Sequence, residues 1–137
     1  MYTPHNGVAT VSLIGDNIIF AEFCGSFDNH ALQRYSKQIK KLVSTFNGSP
    51  FAMLIDDLKL EGGTPEAYKV LNEYNQWLNQ QAIVAKAFII NNNVNKQIIL
   101  KRSPALLEQN IAFFTDKNSA KDWLNTQLNQ PASSAQC

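Results

Sequence analysis

The chain has 137 residues, of which 45% are hydrophobic and 17% are charged, a composition typical of one globular domain and not of a disordered chain. Twelve basic and eleven acidic residues give a formal net charge of +1, so no long-range field favours nucleic acid or an anionic membrane. No apolar run approaches the roughly 20 residues that span a bilayer, and the N-terminus does not resemble an export signal. The sequence therefore predicts a cytoplasmic protein without stable membrane insertion.

The first part of the chain predicts an arm followed by a β-hairpin. Residues 1–7 are rich in turn formers and form the arm. Two short apolar runs, Val8–Ile14 and Ile18–Cys24, are separated by Gly15-Asp16-Asn17, a connection typical of hairpins. Cys24 lies inside the second run, where we expect it to behave as a small buried hydrophobic residue.

A helix and a buried strand follow the hairpin. Apolar residues recur at helical spacing after Ser26 or Asp28, either of which can cap a helix that ends at Asn47-Gly48. Phe51–Ile55 is a continuous apolar run, the pattern of a strand that is covered on both faces in a mostly parallel sheet. This run is predicted to be the central strand.

A loop from Asp56 to Thr64 and a second helix from Pro65 to Gln81 are predicted next. Thr64 is the expected N-cap, and Pro65 occupies the first helical position, where its missing N–H costs nothing. Glu66 follows at the positive end of the helix dipole. These three residues together predict the start of the helix.

The C-terminal half predicts two further strands, each followed by a helix. In chain order these are a strand Ala85–Ile90, a helix Val94–Leu107 interrupted at Pro104, a strand Ile111–Thr115, and a helix that starts at Asp116 or Asn118. Trp123 in the last helix is expected to close the core. Residues 129–137 are small and polar and are predicted to be a disordered tail.

The predicted order of elements is ββαβαβαβα. Because strand-helix-strand connections are right-handed, this order builds an α/β domain with a single mixed sheet of about five strands covered by about four helices. Residues 8–128 form this one domain, between the arm and the tail.

Asp56, Asp57 and Glu61 make the strongest acidic feature. Carboxylates at a strand end can bind Mg²⁺ or accept a phosphoryl group, but a receiver domain needs an acidic pair after its first strand, and the phosphatase pattern D-x-D-x-T is missing. We expect Asp56 or Asp57 to accept hydrogen bonds from nearby backbone instead. His5 and His30 have no carboxylate or thiol at ligand spacing. The sequence thus predicts no catalytic residue, metal site or cofactor, and a protein that is not an enzyme.

Three aromatic residues of the second helix are candidates for binding. Tyr74 belongs to the predicted buried stripe, while Tyr68 and Trp77 lie at its margins. Aromatic residues at helical spacing usually belong to the core, but wide rings at the edge of a stripe can line an apolar groove. They are not interleaved with Lys and Arg on a strand, so a nucleic-acid platform is disfavoured.

Three stretches of the chain resemble the STAS fold of anti-sigma factor antagonists, in particular the bacterial SpoIIAA-like group: FAMLIDDL (51–58), AKAFIINN (85–92) and IAFFTDKNSAKDWL (111–124). The resemblance implies a regulatory module that binds a protein partner and is not an enzyme. That family carries a phosphorylatable serine at the start of the helix after the central strand. This chain has Glu61-Gly62-Gly63-Thr64 there, so a serine switch is not expected. Other members of the group are similar to lipid-binding SEC14-type domains.

We therefore predict a STAS-like binding domain. Its partner site would comprise the loop residues Asp57, Glu61, Gly62, Gly63 and Thr64 together with the exposed side of the following helix. The alternative is a carrier or sensor of an apolar small molecule or lipid, lined by Tyr68, Tyr74 and Trp77. A homodimer is compatible with either function.

Overall fold

The computed structural model describes residues 7–91 and 93–129, without the side chain of Val94. Its elements, in chain order, are β1 Val8–Ile14, β2 Ile18–Phe27, α1 Asn29–Ser44, β3 Phe51–Gly63, α2 Pro65–Leu78, β4 Ile83–Ile89, α3 Asn93–Arg102, a 3-10 helix Pro104–Glu108, β5 Ile111–Phe114 and α4 Lys117–Asn129. The predicted fold class and order of elements are confirmed. Most of the predicted arm and tail, with His5, lies outside the described residues.

The five strands form one sheet in the order β1-β2-β3-β4-β5, so their order in space is their order in the chain. β1 and β2 are antiparallel, and the other neighbours are parallel. Right-handed connections that always step in the same direction place every crossover helix on one face of the sheet. α1, α2 and α3 therefore share a face, and α4 is left to cover the other.

Each face of the sheet has its own apolar core. On the face of α1, α2 and α3 the buried residues include Ile19, Met53, Ile55 and Phe88; on the opposite face Ala120 and Leu124 of α4 pack on Leu54, Ala87 and Ile89. The prediction that Trp123 closes the core needs correction. Its ring is only partly buried beside Phe114, whereas Leu124 is completely buried.

The ends of the helices follow the predicted chemistry. Asp28, and not Ser26, caps α1, and its carboxylate accepts a hydrogen bond from the Ala31 N–H at 2.9 Å. The Thr64 hydroxyl accepts a hydrogen bond from the Ala67 N–H at 3.0 Å, and Pro65 is the first residue of α2. The predicted interruption at Pro104 is also confirmed.

The predicted loop from Asp56 to Thr64 is wrong, because β3 continues for 13 residues to Gly63. β2 also continues beyond its predicted end, and the two strands stay paired as far as Phe27 and Gly63. Two irregularities in their register absorb the extra residues of β3. Pairing with a distant strand has overridden the local turn composition of this segment.

The prediction that Cys24 is buried is also wrong. It is exposed, although its neighbour Phe23 is buried. Successive side chains of a strand point to opposite faces, and Cys24 lies on the face opposite the core around Phe23. The apolar run correctly predicted a strand, but it did not show that the face carrying Cys24, buried at Ile18, becomes exposed towards the end of the strand.

Candidate functional site

β2 and β3 project together beyond the rest of the sheet. β4 pairs with β3 only as far as Asp56, opposite Ile89, whereas β2 pairs with β3 up to Gly63. From Asp57 onward, no strand in the described part of the chain pairs with the second edge of β3. This projecting ribbon starts at the carboxyl ends of the parallel strands, the end of such sheets at which ligands bind.

Gly62 shapes the end of the ribbon. Its φ is +142°, a backbone conformation that residues with a side chain rarely adopt. The residue is half-buried. Glycine is thus required here by the conformation of the ribbon, and a substitution would strain the backbone.

Asp57 is a buried carboxyl group at the base of the ribbon, with only 4% of its surface exposed. Burial raises the pKa of Asp57 to about 7, the negative charge of Asp56 adds to this shift, and the positive charge of Lys86 opposes it. Within residues 7–91 and 93–129, no hydrogen bond or ion pair engages its carboxyl oxygens. Asp56, by contrast, accepts a hydrogen bond from the Leu58 N–H at 3.0 Å, as predicted for one of the two acids.

Lys86 of β4 is a buried amine on the same face of the sheet, 2% exposed. Its Nζ donates a hydrogen bond to Asn75 Oδ1 at 2.7 Å and lies 5.7 Å from the centre of the Tyr74 ring. Burial lowers the pKa of Lys86 to about 7, and the charge of Asp57 partly offsets this effect. The amine is thus held in place by one amide oxygen and an aromatic face.

Asn75 is the centre of a buried polar network. Its amide nitrogen donates to Ser103 Oγ at 3.0 Å, and its Oδ1 also accepts from Gln109 Nε2 at 3.2 Å. The network ties α2 to the segment around the 3-10 helix and fixes the acceptor for Lys86. Sequence reasoning missed both Asn75 and Lys86. The one available signal was a lysine inside the otherwise apolar run Ala85–Ile90.

Asp57, Lys86 and Asn75 all face one cavity of about 70 Å³ between the sheet and helices α1, α2 and α3. The remaining walls are mainly apolar and aromatic, and include Phe23, Phe27, Tyr35, Ile55, Tyr68, Leu71, Tyr74 and Phe88. Burial raises the pKa of both Tyr35 and Tyr74, so these hydroxyls remain neutral. An apolar pocket with a few convergent polar groups is the usual form of a small-molecule site.

The structure brings five of the eight predicted site residues together around this cavity: Asp57, Gly62, Gly63, Tyr68 and Tyr74. Glu61 is exposed on the ribbon, and Thr64 is the N-cap of α2. Trp77 stacks on Tyr74 at 6.3 Å but lines a separate depression beneath Lys40. The predicted grouping of Trp77 with Tyr68 and Tyr74 in one lining is therefore wrong.

Two further properties of residues 7–91 and 93–129 concern metal binding and membrane insertion. No group of three or more His, Cys, Asp or Glu side chains in this part of the chain is arranged to hold a metal ion. None of its helices combines the length and the hydrophobicity needed to cross a bilayer.

Solved structures with the same fold exist at low sequence identity. An uncharacterised DUF3478 protein with a SpoIIAA-like fold from Shewanella loihica PV-4 has a TM-score of 0.69 and 16% identity, covering 90% of this chain and 98% of that one. An anti-sigma factor antagonist from Mycobacterium paratuberculosis has a TM-score of 0.63 and 13% identity, covering 91% and 99%. SpoIIAA in its unphosphorylated form has a TM-score of 0.58 and 11% identity, covering 87% and 97%.

No protein-family model and no curated protein matches the sequence. The structural likeness spans nearly the whole of each chain. It confirms, at the level of the fold, the resemblance that the three sequence stretches carry.

Proposed function

We propose that this chain, which has the SpoIIAA-like STAS fold, is a non-enzymatic regulatory domain that binds a protein partner at the projecting ribbon of β2 and β3. Two of its structural neighbours are described as anti-sigma factor antagonists. This supports a regulatory role by analogy of fold. The ribbon itself is the observation that carries the proposal.

The free edge of the ribbon suits an extended segment of the partner. From Asp57 to Gly63 the second edge of β3 has no neighbouring strand among the described residues, and its backbone groups can pair with an added strand. Leu58 is 42% exposed on this segment and offers an apolar contact. The partner would thus add a strand beside β3 and place an apolar side chain near Leu58.

The proposed site works without a serine switch. The ribbon contains one serine, Ser26 of β2, which pairs with Gly62 and does not lie at the start of α2. Thr64 is the hydroxyl residue at the start of α2, and its oxygen already caps that helix. Phosphorylation would take this oxygen from its bond with the Ala67 N–H. We therefore propose that partner binding at the ribbon is constitutive or is controlled by another signal.

Affinity capture from the cytosol of the source organism tests this proposal. The bait variant Leu58→Arg places a charge on the free edge. Leu13→Arg is its matched control, because Leu13 is 45% exposed and lies beside the hairpin turn at the opposite end of the sheet. We expect Leu13→Arg to capture the wild-type partner and Leu58→Arg to lose it; the same captured proteins from both would contradict the proposed site.

A second candidate function is supported by the cavity. Its apolar walls and its few polar groups favour a carrier or sensor of a small, mostly apolar molecule. Gly62 and Gly63 belong both to the ribbon and to the lining, so an occupant would touch the proposed partner surface. Native mass spectrometry of freshly purified protein should show added mass; an apo spectrum, with no thermal shift from apolar compounds, would contradict this function.

A further inference from the structure

Asp57 and Lys86 face the same cavity but do not form an ion pair with each other. Both are at least 96% removed from solvent, and both line the cavity, but no ion pair joins them in the described part of the chain. Lys86 uses one of its three N–H donors, on Asn75, and the Asp57 carboxyl accepts no hydrogen bond from residues 7–91 and 93–129. A buried ionisable group without a partner is costly, and this applies to Asp57. Lys86 is partnered by Asn75 but keeps two N–H donors, so both residues can make further hydrogen bonds within the cavity.

We propose that the cavity binds a compact apolar molecule that ends in an uncharged group able to donate and to accept hydrogen bonds, with a primary carboxamide as the simplest example. Its oxygen accepts a hydrogen bond from Lys86 Nζ, and its N–H donates to the Asp57 carboxyl. This proposal rests on the second candidate function, since it requires the cavity to bind a small molecule.

The charges of the cavity favour a neutral end group over a charged one. A ligand carboxylate would pair with Lys86 but would place a like charge beside Asp57. A ligand ammonium would pair with Asp57 but would face Lys86. Both residues are buried in an environment that solvates charge poorly, so the pKa of Asp57 is raised and that of Lys86 is lowered. A carboxamide satisfies both residues and brings no further charge.

The volume of the cavity limits the size of the apolar part of the ligand. One buried water needs about 10 to 15 Å³ of such a space, so about 70 Å³ suits a single ring with a short polar arm rather than a full phospholipid. Phe23, Tyr35 and Phe88 supply aromatic walls for that ring. We therefore propose a ligand with one ring and a short polar arm, not an acyl lipid.

Three probes that share one ring separate the end groups. Phenylacetamide, phenylacetate and phenethylamine would be titrated into the full chain at neutral pH and followed by backbone amide NMR. We expect phenylacetamide to shift the resonances of cavity residues and to bind roughly tenfold more tightly than either ion, because each ion leaves one buried group opposed by a like charge. Equal binding of the three, tighter binding of an ion, or binding of none would overturn the proposal.

Variants test the two contacts. Asp57→Asn and Lys86→Met should each weaken phenylacetamide binding about tenfold or more, the worth of a hydrogen bond to a charged group. Glu22→Gln and Lys40→Met remove the same charge types outside the cavity and should change nothing. If Asp57→Asn or Lys86→Met does not fold, Leu71→Trp provides a further test. Leu71 lines the cavity from α2, so the larger Trp side chain should fill the cavity and abolish binding. Unchanged binding in the folded cavity variants would overturn the assigned contacts.

Different results would refute small-molecule binding by the cavity and the proposed carboxamide-type end group of the ligand. A native mass spectrum that reveals a co-purified molecule with a charged end group would keep the cavity function and refute the carboxamide-type end group. A cavity that takes no small molecule at all would refute both. Loss of partner capture by Leu58→Arg bears on neither result, because Leu58 does not line the cavity.

Discussion

Asp56 and Asp57 are consecutive in the chain and lie on opposite faces of β3. The Asp56 carboxylate accepts a hydrogen bond from the Leu58 N–H near the surface, whereas the Asp57 carboxyl is buried and faces the cavity. The alternation of side chains along a strand is enough to separate them. A pair that looked like one acidic site is thus two residues with different roles.

The stability of the domain should depend on the protonation of Asp57. Its pKa rises from 3.8 in the unfolded chain to about 7 in the folded one, so the stability that comes from neutral Asp57 is complete below pH 3.8 and is lost as the pH rises through 7. Relative to Asp57→Asn, the wild type should lose up to about 1.4 kcal/mol per pH unit in this window. Urea unfolding at several pH values measures the difference.

The control for this titration is Asp122→Asn, which removes an exposed carboxylate from α4. This variant keeps Asp57, so the loss of stability that Asp57 causes between pH 3.8 and 7 should persist in it. Parallel profiles for wild type and Asp57→Asn would show that Asp57 is solvated in the folded protein.

Lys86 should give the opposite trend at higher pH. Its pKa falls from 10.5 in the unfolded chain to about 7 in the folded one, so the stability that comes from neutral Lys86 is complete above pH 10.5 and is lost as the pH falls through 7. The wild type should therefore gain stability relative to Lys86→Met between pH 7 and 10. Lys40→Met, at an exposed position, serves as the control, and a constant difference for Lys86→Met would argue against a buried amine.

Leu124→Ala should cost about 2 to 5 kcal/mol, because it leaves a void where a completely buried side chain packs against β3 and β4. Trp123→Ala should cost less, since that ring is only partly buried. Asn125→Ala, exposed on the same helix, should stay within about 0.5 kcal/mol. Denaturant unfolding ranks the three variants, and a larger loss for Trp123 than for Leu124 would reverse the assignment of the core.

Thr64 should stabilise the domain through the hydrogen bond by which it caps α2. Thr64→Val keeps the shape of the side chain but removes the acceptor for the Ala67 N–H, and a loss of about 0.5 to 2 kcal/mol is expected. Thr64→Ser retains a hydroxyl and should restore most of the wild-type stability. Equal losses in the two variants, measured by thermal or urea unfolding, would mean that the hydrogen bond contributes nothing.

Cys24 should react as a free surface thiol. In a Cys137→Ser background, a colorimetric disulfide reagent should modify the folded protein at once, because Cys24 is exposed. The variant with both cysteines replaced gives the blank. A reaction that needs denaturant would restore the sequence-based expectation of a buried cysteine.

The fold could be predicted from sequence because its signals are local. Helical spacing, the Thr64-Pro65-Glu66 start and the hairpin turn each lie within a few residues of one another. The length of β3 could not be predicted from sequence, because the segment up to Gly63 is kept extended by pairing with β2, which is far away in the chain. The same holds for the Asn75 contacts with Ser103 and Gln109, which are 28 and 34 residues away. Lys86 thus acquires its role only in three dimensions.

The order of the strands has a consequence for synthesis on the ribosome. Because the sheet grows in chain order, each strand that emerges can dock on an edge that already exists, so no earlier element has to be displaced. The face beneath α4 is the exception. Until α4 is complete, it cannot cover Leu54, Ala87 and Ile89, and an exposed apolar surface of this kind favours aggregation of the nascent chain.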